Sequence, residues 1–187
     1  YTDVAREPDR EFHFPTGRDA CEFEGYPDEL LEPVPPEAVA SYAGVSCPFR
    51  ADVIREGDTV LDIGSGSGTD ALIAAALVGS EGEVAGLDLT RAMRERLREN
   101  AARMGVDNVR ALDGNAESIP LPDASVDVVT TNGVLNLVPD KPAAVAEIHR
   151  VLRRGGRLQL ADIVLAENPS DACRRQPELW AECIVGA

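Results

Sequence analysis

Basic side chains are scarce in this chain. Its 18 Lys and Arg residues stand against 33 Asp and Glu, a formal charge of −15, which repels a phosphate backbone rather than neutralising it. Nucleic acid is therefore a poor partner. No apolar run approaches the roughly 18 residues that a bilayer-spanning helix requires. The N-terminus is acidic, without a charged leader ahead of an apolar segment, so a cytoplasmic, soluble protein with no membrane contact is expected. Cys21, Cys47, Cys173 and Cys183 form no C-x-x-C pair, which argues against a zinc site or a dense disulfide framework and leaves free thiols. Histidine is limited to His13 and His149, so bases of that type are few.

What is present is a chain of 187 residues, 44% of them hydrophobic, enough for one domain with a real core. Its most informative stretch is Thr59-Val60-Leu61-Asp62-Ile63-Gly64-Ser65-Gly66-Ser67-Gly68, an apolar strand running into alternate glycines and then into the apolar helix Ala71 to Val78. Such a turn brings backbone close to a ligand where side chains would clash, and it aims helix-terminal N–H groups at the ligand's polar end. The spacing departs from the dinucleotide fingerprint, whose third glycine falls at the sixth position, where Thr69 stands. Val84 to Asp88 reads as a second buried strand ending in a carboxylate twenty residues beyond Gly68. An ionised carboxylate at this spacing suits a ribose diol; the competing reading of Asp88 is a helix cap.

The remaining pattern alternates. Strands are expected at Thr59 to Ile63, Glu83 to Leu87, Val109 to Leu112, Val126 to Thr131 and Arg157 to Val164, the last introduced by a Gly155-Gly156 turn. Helices are expected at Asp70 to Val78, Arg91 to Met104 and Pro142 to Leu152. In the second of these, Met93, Leu97, Ala101 and Met104 share one face. This order predicts an α/β, Rossmann-like doubly wound parallel sheet with ligands at the carboxyl ends of its strands. Residues 1–50, rich in turn formers, read as an irregular or helical cover, residues 51–165 as the cofactor-binding core, and residues 166–187 as a C-terminal segment contributing to the ligand site.

Gly-x-Gly-x-Gly after Val60-Leu61-Asp62 resembles motif I of the class I S-adenosylmethionine-dependent methyltransferases. Asp113-Gly114-Asn115-Ala116-Glu117-Ser118-Ile119-Pro120, Ser125 to Val129 and Arg150 to Leu158 are similar to later segments of that family in the same order. The resemblance implies S-adenosylmethionine as cofactor. It implies that Asp62, Gly64, Gly66 and Gly68 shape the methionine pocket, that Asp88 holds the ribose, that Leu89 and Met93 flank the adenine, and that Asn115 with Ala116 meets its edge. Asn115 replaces the usual acid and offers an uncharged acceptor.

A narrower resemblance is to the arsenite methyltransferase branch and its relatives. It is carried by Phe12 to Arg18, Gly25-Tyr26-Pro27, Ser41 to Val45, Thr131 to Lys141 and Cys183 to Ala187. In that branch cysteine thiolates hold trivalent arsenic, whose lone pair attacks the sulfonium methyl without a general base. Here Gly133 stands where the branch has an arsenic-binding cysteine. Cys183 matches its partner, and Cys47 lies near an upstream cysteine. A two-thiolate arsenic site at Cys47 and Cys183 stands beside the reading of both as small buried hydrophobes. Asn132 faces the reaction zone, and His13 lies in the cover, within reach of the methyl. The expected activity is methyl transfer to a small soft acceptor, arsenical or thiol. The alternatives are another small organic acceptor or a cofactor-binding protein that has lost catalysis. The family usually adds a helix and an antiparallel strand pair after the fifth strand, but only 23 residues follow Val164. Either the sequence is a fragment, or an open edge awaits a partner such as a second copy.

Overall fold

In the computed structural model, residues 16–167 are described. The chain forms short helices α1 (Gly17–Phe23), α2 (Asp28–Leu31) and α3 (Pro36–Ala40), and a 3-10 turn at Pro48–Ala51. It continues as β1 (Thr59–Ile63), α4 (Thr69–Val78), β2 (Glu83–Asp88), α5 (Arg91–Met104), β3 (Val109–Asp113) and β4 (Val126–Asn132). A second 3-10 turn, Leu135–Leu137, leads to α6 (Lys141–Val151) and β5 (Leu152–Ala161). The strands pair in the order β3-β2-β1-β4-β5, all parallel. The chain leaves β1 toward β2 and β3, then returns to the other side for β4 and β5. The point where the order reverses lies between β1 and β4, where open α/β sheets form a crevice at the strand ends.

Alternation along the central strands sorts the core into two layers. Val60 registers with Val84 and Val128, and Leu61 with Ala85 and Val129. The first set joins α4, α5 and the N-terminal helices in one buried cluster, and the second joins Ala144, Ile148 and Val151 of α6 in the other. A strand covered on both faces must be apolar throughout, which is why β1 reads as a continuous run. Helix α4 is buried on nearly every side, because α1 to α3 pack over it. Ala20, Cys21, Tyr26, Leu31, Val39, Tyr42 and Phe49 share its cluster, and Tyr26 meets Tyr42 edge-on at 5.2 Å between ring centroids. The cover is thus helical and continuous with the core.

Two positions differ from the sequence expectation. Strand β5 begins at Leu152, directly after α6, and ends at Ala161; the Gly155-Gly156 pair lies inside it. The register against β4 shifts between Val126 and Val128, and Gly155 at φ +81° takes the irregular backbone there, so the glycines mark a bulge. Among the described residues β5 is an edge, with Leu158 and Leu160 exposed.

Helix α5 lies close to the sheet. Leu97, fully buried, sits against Gly68 and Gly86, where an added Cβ would come within 2.4 Å of its methyl groups. Gly86→Ala should therefore destabilise the fold by about 1–3 kcal/mol through overpacking, and Leu97→Ala by about 2–5 kcal/mol through the cavity left behind. In urea unfolding the double variant should lose clearly less than the sum of the two, since the new methyl enters the vacated space. Simple additivity would overturn this packing assignment.

Candidate functional site

The turn after β1 owes its path to three residues with positive φ: Gly64 at +72°, Gly66 at +54° and Gly68 at +104°. The three have different reasons to lack a side chain. A Cβ on Gly64 would strike Val134 at 2.3 Å, one on Gly68 would strike Leu97, and one on Gly66 meets nothing within 4 Å. Gly66 is thus the position where backbone faces open space. The turn is clamped from three directions. Gly66 donates its N–H to Asp88 Oδ2 at 2.9 Å, and Gly64 and Ser65 donate theirs to the Leu87 carbonyl. Asn100 of α5 donates to the Ser67 carbonyl, and the Ser67 and Thr69 hydroxyls both donate to the Ala38 carbonyl of α3.

Above this turn lies a cavity of about 240 Å³ at the carboxyl ends of the strands. Of the expected cofactor residues, Asp62, Gly64, Gly66, Asp88, Leu89, Met93, Asn115 and Ala116 line it, and so does Asn132. Gly68 does not; its missing side chain makes room for Leu97 and so supports the turn from behind. Cys47 does not line the cavity either. It is buried in the N-terminal core with Cys21, and burial pushes both thiols up, away from the thiolate that soft metals bind. His149 lies exposed on α6. His13 and Cys183 fall outside the described residues.

Four buried oxygens of cavity-lining residues have no hydrogen-bond partner: Ser41 Oγ, Asp62 Oδ2, Ser65 Oγ and Asn115 Oδ1. Leaving such atoms unpaired costs about 1–3 kcal/mol each, so they mark where a ligand's donors belong. Asp88 is already oriented, accepting from Gly66 N–H through one oxygen and from Thr90 N–H at 2.7 Å through the other. Each oxygen keeps a further lone pair.

The sequence reading missed the groups that brace this site. Arg94, buried on α5, donates to the carbonyls of Asp88 and Leu89 at 2.8 Å and pairs with Asp113 at 2.9 Å, fixing the loop after β2. Asp70 is buried at the cavity, where Tyr26 donates to Oδ1 at 2.6 Å and Asn132 to Oδ2 at 3.0 Å. Burial pushes Asp70 up to about 6, and these two hydrogen bonds hold it down. Asp62 is raised well above the carboxylate range by burial, then by Asp70 and Asp88. The signal was in the text: Asp70 is the one charged residue of an otherwise apolar helix.

Asn132 also joins the cover to the sheet. Its side chain donates to Ser46 O at 2.8 Å and to the Tyr26 hydroxyl at 2.9 Å, and it accepts from Val45 N–H at 2.9 Å. Beside it Gly133, at φ +67°, lines the cavity, with Val45 3.2 Å from where its Cβ would be.

Residues 54–187 match the model of a methyltransferase domain family. An arsenite methyltransferase from Aquipseudomonas alcaligenes is 38% identical over 176 residues, 90% of this chain and 50% of that protein. A ubiquinone/menaquinone biosynthesis C-methyltransferase from a Marinomonas species is 39% identical over 116 residues, 62% of this chain and 46% of its own length. The solved structure of an arsenic (III) S-adenosylmethionine methyltransferase from Chlamydomonas reinhardtii superimposes with a TM-score of 0.69 at 32% identity, covering 94% of this chain and 58% of that one. The chain spans about half the length of the two sequence relatives. No helix among the described residues is long and apolar enough to cross a membrane. With family model, relatives and sheet topology in agreement, the chain belongs to the methyltransferase domain family and has the class I fold whose cofactor is S-adenosylmethionine.

Proposed function

We propose that this chain uses S-adenosylmethionine to methylate a small, uncharged, soft acceptor: a trivalent arsenical or a small thiol. The observation that carries the reading is the set of buried, unpartnered acceptor atoms around one glycine-floored cavity. Asp62 Oδ2 suits an ammonium group, the oriented Asp88 carboxylate a ribose diol, and Asn115 Oδ1 an exocyclic amine. Met93 and Leu89 supply apolar contacts to the base. When bound, the cofactor presents a methyl on a sulfonium sulfur, an electrophile for an acceptor lone pair. The chain's part is to align that acceptor. Tyr42, Ala43 and Gly44 of the cover, with Gly133, Val134 and Leu137 beyond β4, form a small and mostly apolar enclosure for it.

Charge narrows the acceptor class. Asp62, Asp70, Asp88 and Glu117 line the cavity, and no Lys, Arg or His does so among the described residues. A carboxylate or phosphate acceptor would enter a field of its own sign, whereas arsenous acid and simple thiols are neutral at physiological pH. The likeness to a C-methyltransferase of quinone biosynthesis supports a second reading, a neutral organic acceptor methylated at carbon.

Titration calorimetry with S-adenosylhomocysteine should show Asp88→Ala weakening binding by about 1–3 kcal/mol, the usual penalty for unpairing buried polar groups; an unchanged affinity would refute the ribose assignment. Gly66→Asn tests the turn separately, because asparagine tolerates positive φ while its side chain would project into the cavity. The variant should fold and fail to bind, and normal binding would count against the geometry. Labelled-methyl transfer to arsenite, 2-mercaptoethanol, a menadiol and a phosphorylated thiol addresses the acceptor. Transfer to a neutral member and not to the phosphorylated thiol is expected, with arsenite activity lost in Cys183→Ser. Transfer confined to the anionic compound would overturn the proposal.

A further inference from the structure

Asp62 and Asp70 are two buried carboxyl groups on one cavity wall, and their surroundings treat them unequally. Asp70 stands in the first turn of α4, where the helix N-terminus favours a negative charge, and both of its oxygens accept hydrogen bonds, from Tyr26 and Asn132. Asp62 receives the main-chain N–H of Ala71, the residue next to Asp70, and its Oδ2 is left without a partner. Each acts electrostatically against the other's ionisation.

Among the described residues nothing else nearby offsets two negative charges. From β2 the facing group is Asp88, of the same sign. The cover presents the phenols of Tyr26 and Tyr42, and α1 and the segment before the first 3-10 turn present the thiols of Cys21 and Cys47. Burial keeps all four neutral. From β4 comes the uncharged amide of Asn132.

We propose that Asp70 is a positioning residue acting through Asp62: in the ligand-free protein the pair holds one proton, kept on Asp62 because Tyr26 and Asn132 fix the charge on Asp70, and a cationic amino group docking at Asp62 displaces that proton to solvent. This rests on the cofactor reading given above and goes beyond it. The cofactor's amino-acid end is then recognised by a carboxylate that ionises only as the ligand arrives, and Asp70, which need not touch the ligand, sets the pH at which this happens.

Linkage gives the sign. Binding that releases a proton tightens as pH rises and levels off once the ligand-free pair is fully ionised. Below that point affinity falls by up to about tenfold per pH unit. Two ligands separate the effect from general acid damage. S-adenosylhomocysteine carries the amino group; 5′-methylthioadenosine keeps the adenine and ribose but lacks the amino-acid half.

Calorimetry on the full chain from about pH 5 to about pH 8.5, in phosphate and Tris buffers of different ionisation enthalpy, should show S-adenosylhomocysteine releasing on the order of one proton on the rising limb. The affinity of 5′-methylthioadenosine should stay flat over the same range. Asp70→Asn removes the like charge and should move the limb to lower pH. Tyr26→Phe, which keeps the ring but withdraws a hydrogen bond from Asp70, should move it to higher pH. A purely structural role would weaken binding in both variants without opposite displacements. Equal pH slopes for the two ligands, or no proton release with S-adenosylhomocysteine, would overturn the proposal. If neither nucleoside binds, the cofactor reading fails and this inference falls with it; binding of 5′-methylthioadenosine alone would leave that reading standing and sink only the role of the carboxyl pair.

Discussion

The side chain of Asn132 is the joint on which the site is assembled. It ends β4, and from there it reaches Ser46 and Val45 of the cover, the Tyr26 hydroxyl and the Asp70 carboxylate. A primary amide can do this because its oxygen accepts while its two N–H hydrogens are shared among the surrounding oxygens. An aspartate there would set a third carboxyl group against Asp70, and an apolar residue would leave the Val45 N–H without its partner. The cover, the helix after the glycine turn and the fourth strand therefore meet through hydrogen bonds to one side chain, two of whose partners, Tyr26 and Asp70, are buried.

Much of this was legible from residue order. Apolar runs and helical patterns located β1 to β4 and the three long helices to within one residue, because parallel strands covered on both faces have to be apolar, while β5 begins five residues before the expected Arg157. The glycine turn and Asp88 could be placed at the strand ends for the same topological reason. What could not be seen were consequences of packing. Gly64, Gly66 and Gly68 look equivalent in the sequence, yet they answer to Val134, the cavity and Leu97 respectively. The Gly155-Gly156 pair suggested a turn, but its place inside β5 depends on a register shift against β4 that no local signal announces. Cys47 drew attention for its chemistry and ended in an apolar core, the common fate of an unpaired cysteine. Asp70 and Tyr26 are far apart in the chain and become a pair only when α1 and α2 close over α4.

The electrostatic character of the cavity connects composition to chemistry. A chain this acidic was expected to shun polyanions, and the same imbalance reappears in miniature around the site, where four carboxyl groups line one small space. Their mutual repulsion disfavours full ionisation of the ligand-free site, and a cation at the site relieves it. Active sites commonly hold groups in environments they would not choose alone. Here the device is burial of charge, with Arg94 bonded to main-chain carbonyls and Asp113 beside the cavity rather than neutralising its interior.

The Ser67 and Thr69 hydroxyls share a single carbonyl, that of Ala38. Through it α3 of the cover is tied directly to the glycine turn that floors the cavity. A substitution that shifts α3 would therefore be felt at the floor of the cavity, although α3 itself stands outside it.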